Sequence, residues 1–231
     1  MNANPTTRPR RQDDPHRAPR VAVVDDDTAM REGLALLLPD VEVVATCRSV
    51  GQLLATVGDP RDVDVVLLDL HLNGGPTVDG PQGRRAVRLL SEAGYPVLIY
   101  TNERRRVVLA ACYLAGARGL VHKTEPMANV RAAIDEVCSG RTVVTPAVAG
   151  LLDTIAKAGH VPALTERQKE VLHGRARGET FPAIGRRLNI SPRTAEEYMG
   201  DVIAKVAELL TARNATELEQ QLGLGPGDLL E

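Results

Sequence analysis

Residues 65–75 read VVLLDLHLNGG, four apolar residues running into Asp69 with a glycine-rich loop directly behind it. A short apolar run bounded by turn residues is the pattern of a strand buried on both faces. The pattern recurs from Arg20 to about Cys138. RVAVVD, VEVVATC, VDVVLLD, PVLIYT and RGLVH alternate with TAMREGLALLL, VGQLLATV, GRRAVRLLSEAG, RRRVVLAACYLAGA and MANVRAAIDEVC, which carry helical spacing. Five strand–helix units of this kind predict a parallel sheet covered on both faces. In the first helix Met30, Leu34, Leu37 and Leu38 form the expected apolar stripe, Arg31 and Glu32 point elsewhere, and Thr28 is the expected N-cap.

Ligands of open α/β sheets gather beyond the carboxyl ends of the strands, where strand order reverses. Asp69 ends the third strand, and Asp25, Asp26 and Asp27 end the first, so these acids converge if the two strands are neighbours. Crowded anions repel one another, and a hard divalent cation with oxygen ligands relieves the repulsion; magnesium is the natural ion. Thr101 closes the fourth strand with a hydroxyl, and Lys123 follows the fifth with a cation, both aimed at the same edge. A carboxylate held by magnesium can attack a phosphoryl group, while ion, hydroxyl and ammonium stabilise the charge on the transferred oxygens. Asp69 would then carry an acyl phosphate. Taken singly, each residue has a plainer role: an Asp at a strand end usually forms a turn or caps a helix, as expected of Asp27. Their joint occurrence at successive strand ends points to one shared site.

These residues resemble the receiver domains of two-component response regulators over roughly residues 20–139: the acidic pair Asp25 and Asp26, the acceptor Asp69, Thr101 and Lys123 fall where that family has them. The resemblance implies a flavodoxin-like, doubly wound five-stranded fold and Mg²⁺-dependent phosphotransfer to Asp69 from a cognate histidine kinase. It also implies a metal held by Asp25, Asp26, Asp69 and the backbone carbonyl of His71. Three departures stand out. The loop after the acceptor, LHLNGGPTVDGPQG, is long and lacks the usual Met-Pro; Asn102 replaces a small residue after Thr101; and Leu120 stands where the family's aromatic switch residue is expected.

Gly140–Val161 holds one short apolar helix between Gly and Pro and reads as a connector. An all-helical unit is expected over 162–220. Thr165 and Gln168 form a capping box before a charged amphipathic helix, Pro182 lies near the start of a second helix, and Ser191 and Pro192 start a third. LTERQKEVL, IGRRLNISPRTAEEY and VIAKV resemble the four-helix, helix-turn-helix output domain of NarL/LuxR-type regulators. A short turn between two helices lets the second lie in a major groove. Arg186, Arg187, Arg193 and Lys205 are then candidates for phosphate contacts, and Thr194, Glu196, Glu197 and Gly200 sit where that family contacts DNA. The buried stripe of the third helix is read as Ala195, Tyr198 or Met199, Val202 and Val206, which leaves Glu196, Glu197, Gly200 and Asp201 outward. That outer side is acidic, and paired carboxylates facing a row of phosphates weaken binding.

Composition bounds the alternatives. The 231 residues suffice for two modest domains, and 43% hydrophobic with 25% charged residues is ordinary for a globular chain. No apolar run is long enough to cross a bilayer, and the Arg- and Pro-containing residues 1–19 read as a disordered tail without a secretory signal, so the expected location is cytoplasmic. Residues 221–231 read as a C-terminal tail. Cys47, Cys112 and Cys138 lie far apart in apolar segments and read as buried thiols. Only 2% of residues are aromatic, which disfavours base stacking on single strands and makes duplex DNA the expected nucleic acid. The family resemblance implies a homodimeric transcriptional regulator, not an enzyme. Two other readings stay open: a receiver rarely or never phosphorylated whose acidic helical domain binds a protein, and a haloacid-dehalogenase-like phosphatase. The second rests on a faint resemblance of VAVVDDDTA, with Asp25 as nucleophile and Asp27 two residues on, but Ala29 stands where that family has Thr.

Overall fold

The computed structural model describes residues 17–72, 80–157 and 164–212. Five strands, β1 (Arg20–Val24), β2 (Glu42–Cys47), β3 (Val65–Leu68), β4 (Val97–Thr101) and β5 (Gly119–His122), form one parallel sheet in the order β2-β1-β3-β4-β5. Strand order reverses between β1 and β3, the condition under which Asp25 and Asp69 meet. Val21 pairs with Val65 and Val24 with Leu68. Helices α1 (Thr28–Leu37), α2 (Val50–Thr56), α3 (Gly83–Glu92), α4 (Arg106–Leu114) and α5 (Met127–Cys138) follow the strands in turn.

Alternation along the strands divides the core into two layers. Ala22, Val24, Val66, Leu68, Val97 and Ile99 share an apolar cluster with residues of α2, α3 and α4, including Leu53, Leu90 and Tyr113. Val21, Val23, Val65, Leu67, Leu98 and Tyr100 share the other with α1 and α5, including Leu34 and Ile134. Burial on both faces explains why these strands carry no polar alternation.

In α1 the capping role expected of Asp27 holds, while the cap expected at Thr28 and the inward position of Leu37 are revised. The cap is Asp27, whose carboxylate accepts from the Ala29 and Met30 amides, because an extended Asp at this position reaches two free N–H groups while Thr28 is already helical. Leu34 and Leu38 are buried, but Leu37 is 56% exposed, since the helix ends at that residue and Leu38 takes the inward position.

Helix α6 (Pro146–Lys157) packs against both α4 and α7 (Glu166–Ala176). The Thr165–Gln168 capping box forms in full. Helix α8 (Phe181–Leu188) is capped by Thr180, and Asn189 ends it in the left-handed region at φ 54°. Helix α9 (Pro192–Ala212) starts with the Ser191 hydroxyl accepting the Thr194 amide. Ala195, Met199, Val202 and Val206 are its buried stripe, while Tyr198 is half-buried. The expected fourth helix of this unit, residues 1–16 and 221–231 of the expected tails, and residues 73–79 of the long loop after Asp69 lie outside the described residues.

Candidate functional site

Backbone ladders carry three chain segments one residue past their strands and so place the acids and the lysine. The Asp25 amide donates to the Cys47 carbonyl at 3.0 Å, the Asp69 amide to Val24 at 2.9 Å, and the Lys123 amide to Thr101 at 3.0 Å. Side chains fixed by sheet hydrogen bonds keep their separations. One carboxylate oxygen from each of Asp25, Asp26 and Asp69 lies within 4.8 Å of the others. Asp25 and Asp69 are buried, and Asp26 is half-buried.

The cation and the hydroxyl divide Asp69 between them. Lys123 Nζ lies 2.7 Å from Asp69 Oδ2 and 2.7 Å from Asp25 Oδ2. Thr101 Oγ1 donates to Asp69 Oδ1 at 2.8 Å, and the His71 amide also faces that oxygen at 3.3 Å. Burial pushes the Asp25 carboxyl above its ordinary value, and the bond from Lys123 offsets this only in part. Burial also opposes the charge on Lys123, but its bonds to Asp25 and Asp69 outweigh that and hold the ammonium above its ordinary value. Three acids facing one lysine leave an excess of negative charge, and an all-oxygen donor set suits a hard divalent cation.

Two neighbours were not legible in the sequence. Arg31, read as pointing elsewhere, folds back so that its guanidinium donates to the Asp25 carbonyl at 2.7 Å and to Thr28 at 2.9 Å. Glu103 is 7% exposed; its carboxylate accepts from the Arg104 and Arg105 amides and the Arg105 guanidinium, and His71 Nε2 lies 3.4 Å away. Its own amide faces Thr101 Oγ1 at 3.3 Å. An acid two residues past a strand end gives no periodic signal, so only the fold reveals it. Leu120 is buried in the cluster that holds Tyr113 and Val144, and Asn102 is exposed. Asp27 is engaged as a helix cap, and the clustered acids are Asp25, Asp26 and Asp69.

In the helical unit most candidate side chains have partners within the chain. Arg187 pairs with Glu179 at 2.9 Å and Arg193 with Glu197 at 3.1 Å. Lys205 donates to Gln168 Oε1 at 2.9 Å, and Thr194 meets the Ser191 hydroxyl at 2.8 Å. Arg186 is exposed. Glu196 is half-buried, and burial raises its carboxyl above the ordinary value with Arg141 countering. Gly200 lines a cleft of about 1030 Å³ with Ile203 and Ala204 on one side and Tyr113, Leu114 and Arg118 on the other. The outward placement expected of Glu196 and Gly200 is thus replaced by a partly covered one, because α9 packs on α4.

A switch-point acid cluster with a lysine and a hydroxyl, joined to a helix-turn-helix unit, defines a signalling receiver with a helical output. The chain matches the response regulator receiver domain family over residues 21–135 and the bacterial regulatory proteins of the luxR family over residues 162–218. A probable transcriptional regulatory protein NarL of Mycobacterium tuberculosis is 31% identical over 84% of this chain and 94% of its own length. The transcriptional regulatory protein UhpA of Salmonella typhimurium is 29% identical over 80% of this chain and 90% of its own. A solved structure of the Salmonella typhimurium RcsB response regulator, 20% identical, covers 90% of this chain and 98% of its own with a TM-score of 0.52, a likeness of fold. The protein belongs to the response regulators that join a receiver to a LuxR-type output domain, and it is a transcriptional regulator of that class. No helix among the described residues is long and apolar enough to cross a membrane.

Proposed function

We propose that Asp69 is the phosphoacceptor of a receiver spanning residues 20–139, charged by a histidine kinase, and that a connector over 140–161 passes its state to a DNA-binding unit over 162–220. The observation that carries this reading is the convergence on Asp69: Lys123 on one carboxylate oxygen, Thr101 on the other, and Asp25 and Asp26 alongside. Asp25, Asp26, Asp69 and the His71 carbonyl would hold Mg²⁺, which supplies Lewis-acid stabilisation of the transferred oxygens. Lys123 and Thr101 keep Asp69 oriented for in-line attack and then face the phosphoryl group, and the buried Leu120, three residues before Lys123, stands in place of an aromatic side chain. The expected setting is cytoplasmic, with a homodimer on duplex DNA; RcsB, alike in fold, has been solved in complex with DNA. Because Glu196 and Gly200 are partly covered, entry of α9 into a groove requires it to leave the receiver.

Acetyl phosphate with Mg²⁺ should label the wild-type chain and leave Asp69→Ala unlabelled, with Asp26→Asn labelled at least tenfold more slowly because one metal ligand loses its charge. Undiminished labelling of Asp69→Ala would exclude the acceptor.

A second reading, in which the output unit binds a protein, is favoured by the internal pairing of Arg187, Arg193 and Lys205, which withdraws cations from phosphates. Binding to duplex DNA that falls steeply with salt supports the first reading, and no binding at low salt supports the second.

A further inference from the structure

The segment between α5 and α6 is not a free tether. The Val143 amide donates to the Arg118 carbonyl at 2.7 Å, beside the start of β5. A Cβ on Gly119 would lie 2.8 Å from Leu98 Cδ1 and 3.1 Å from Val143 Cβ, so a larger residue there would press on both Leu98 and the connector. Two polar side chains, the buried Tyr113 and the half-buried Arg175, then grip successive carbonyls of the connector from α4 and α7. Tyr113 of α4 donates its hydroxyl to the Val143 carbonyl, and the Thr145 backbone bonds to the same hydroxyl. Arg175 of α7 donates to the Val144 carbonyl and to the Glu179 carbonyl, with its guanidinium 4.9 Å from the centre of the Phe181 ring.

Around this pair the apolar core is continuous. Val144, Val148, Ala149 and Leu152 belong to the same buried cluster as Leu109, Ala110 and Tyr113 on one side and Val171, Leu172 and Ile184 on the other. Apolar burial is non-directional and tolerates sliding, whereas two part-buried hydrogen bonds to adjacent carbonyls define one register and lose their partners if it shifts.

From this geometry we infer that Tyr113 and Arg175 are a two-sided clamp on Val143–Val144, and that opening it is the step that frees α9 from the receiver. The clamp rests on the proposed function only for the event that would trigger its opening; its existence is tested without any phosphodonor.

Hydrogen exchange of the full chain, read by mass spectrometry, makes the test. In Tyr113→Phe, which keeps the ring and removes one hydroxyl, the Val143 and Ala149 amides should exchange about tenfold faster than in the wild type, with sheet amides such as Val66 and Asp69 unchanged. Arg175→Gln should do the same, and the double variant should exceed the stronger single variant by less than the product of the two effects, as coupled groups do. Small-angle scattering should show a larger radius of gyration for both variants. Wild-type exchange at Val143 and Ala149 in both variants overturns the clamp, as does loss of protection that spreads equally through the sheet. Acetyl phosphate labelling of the same samples reports separately on Asp69: an unlabelled wild type counts against the acceptor and leaves the exchange result standing.

Discussion

Glu103 shows how a single buried acid organises the segment that follows Thr101. Burial opposes its charge, but the Arg105 guanidinium and the Arg105 and Arg104 amides overcome that and bring its carboxyl down to about 2. A carboxyl held below its ordinary 4.5 contributes stability that is complete above that value and is lost as pH falls toward about 2. Glu103→Gln should therefore cost roughly 2 kcal/mol at neutral pH, because charge-assisted bonds become neutral ones. Urea titrations at a series of pH values should show the gap between the two proteins closing between about 4.5 and about 2. A gap constant with pH would mean that Glu103 acts by packing alone.

The turn between α8 and α9 depends on close backbone approach. A Cβ on Gly185 would lie 2.8 Å from the Ile190 carbonyl oxygen and 3.3 Å from the Pro192 nitrogen, and neither is a flexible side-chain end that could swing aside. Gly185→Ala should destabilise the helical unit by about 2 kcal/mol through overpacking, measured by chemical denaturation followed by helical circular dichroism. Gly178, also in this unit, has φ 87° but nothing near its missing Cβ, so its requirement is conformational and not steric. Capping was readable in advance at Thr165 and Gln168 because the box is a local pattern. The contact at Gly185 was not, since its neighbours are brought back by the turn.

Receiver and output share buried side chains, and α6 is their common element. Leu152 is fully buried between the two units. Leu152→Ala should cost roughly 3 kcal/mol, the usual range for a large-to-small change in a closed core. Hydrogen exchange should record the loss in α4 and α7 together, since α6 packs on both; protection lost in one alone would show that the units do not share a core.

The parallel sheet, its carboxyl-edge acids and the capped helices were legible from local patterns, because strand and helix periods and capping bonds act over a few residues. Asp25, Asp69, Thr101 and Lys123 could be nominated since each ends or follows an apolar run, and Asp25 and Asp69 met only because β1 and β3 are neighbours. Arg31 and Glu103 joined the surroundings of that site through contacts that leave no period. The partial cover over Glu196 and Gly200, the pairing of Arg187 with Glu179 and the gripping of the connector by Tyr113 and Arg175 likewise depend on tertiary packing. Each joins side chains from separate elements, and which of many possible partners a long polar side chain meets is decided only when apolar burial has brought those elements together.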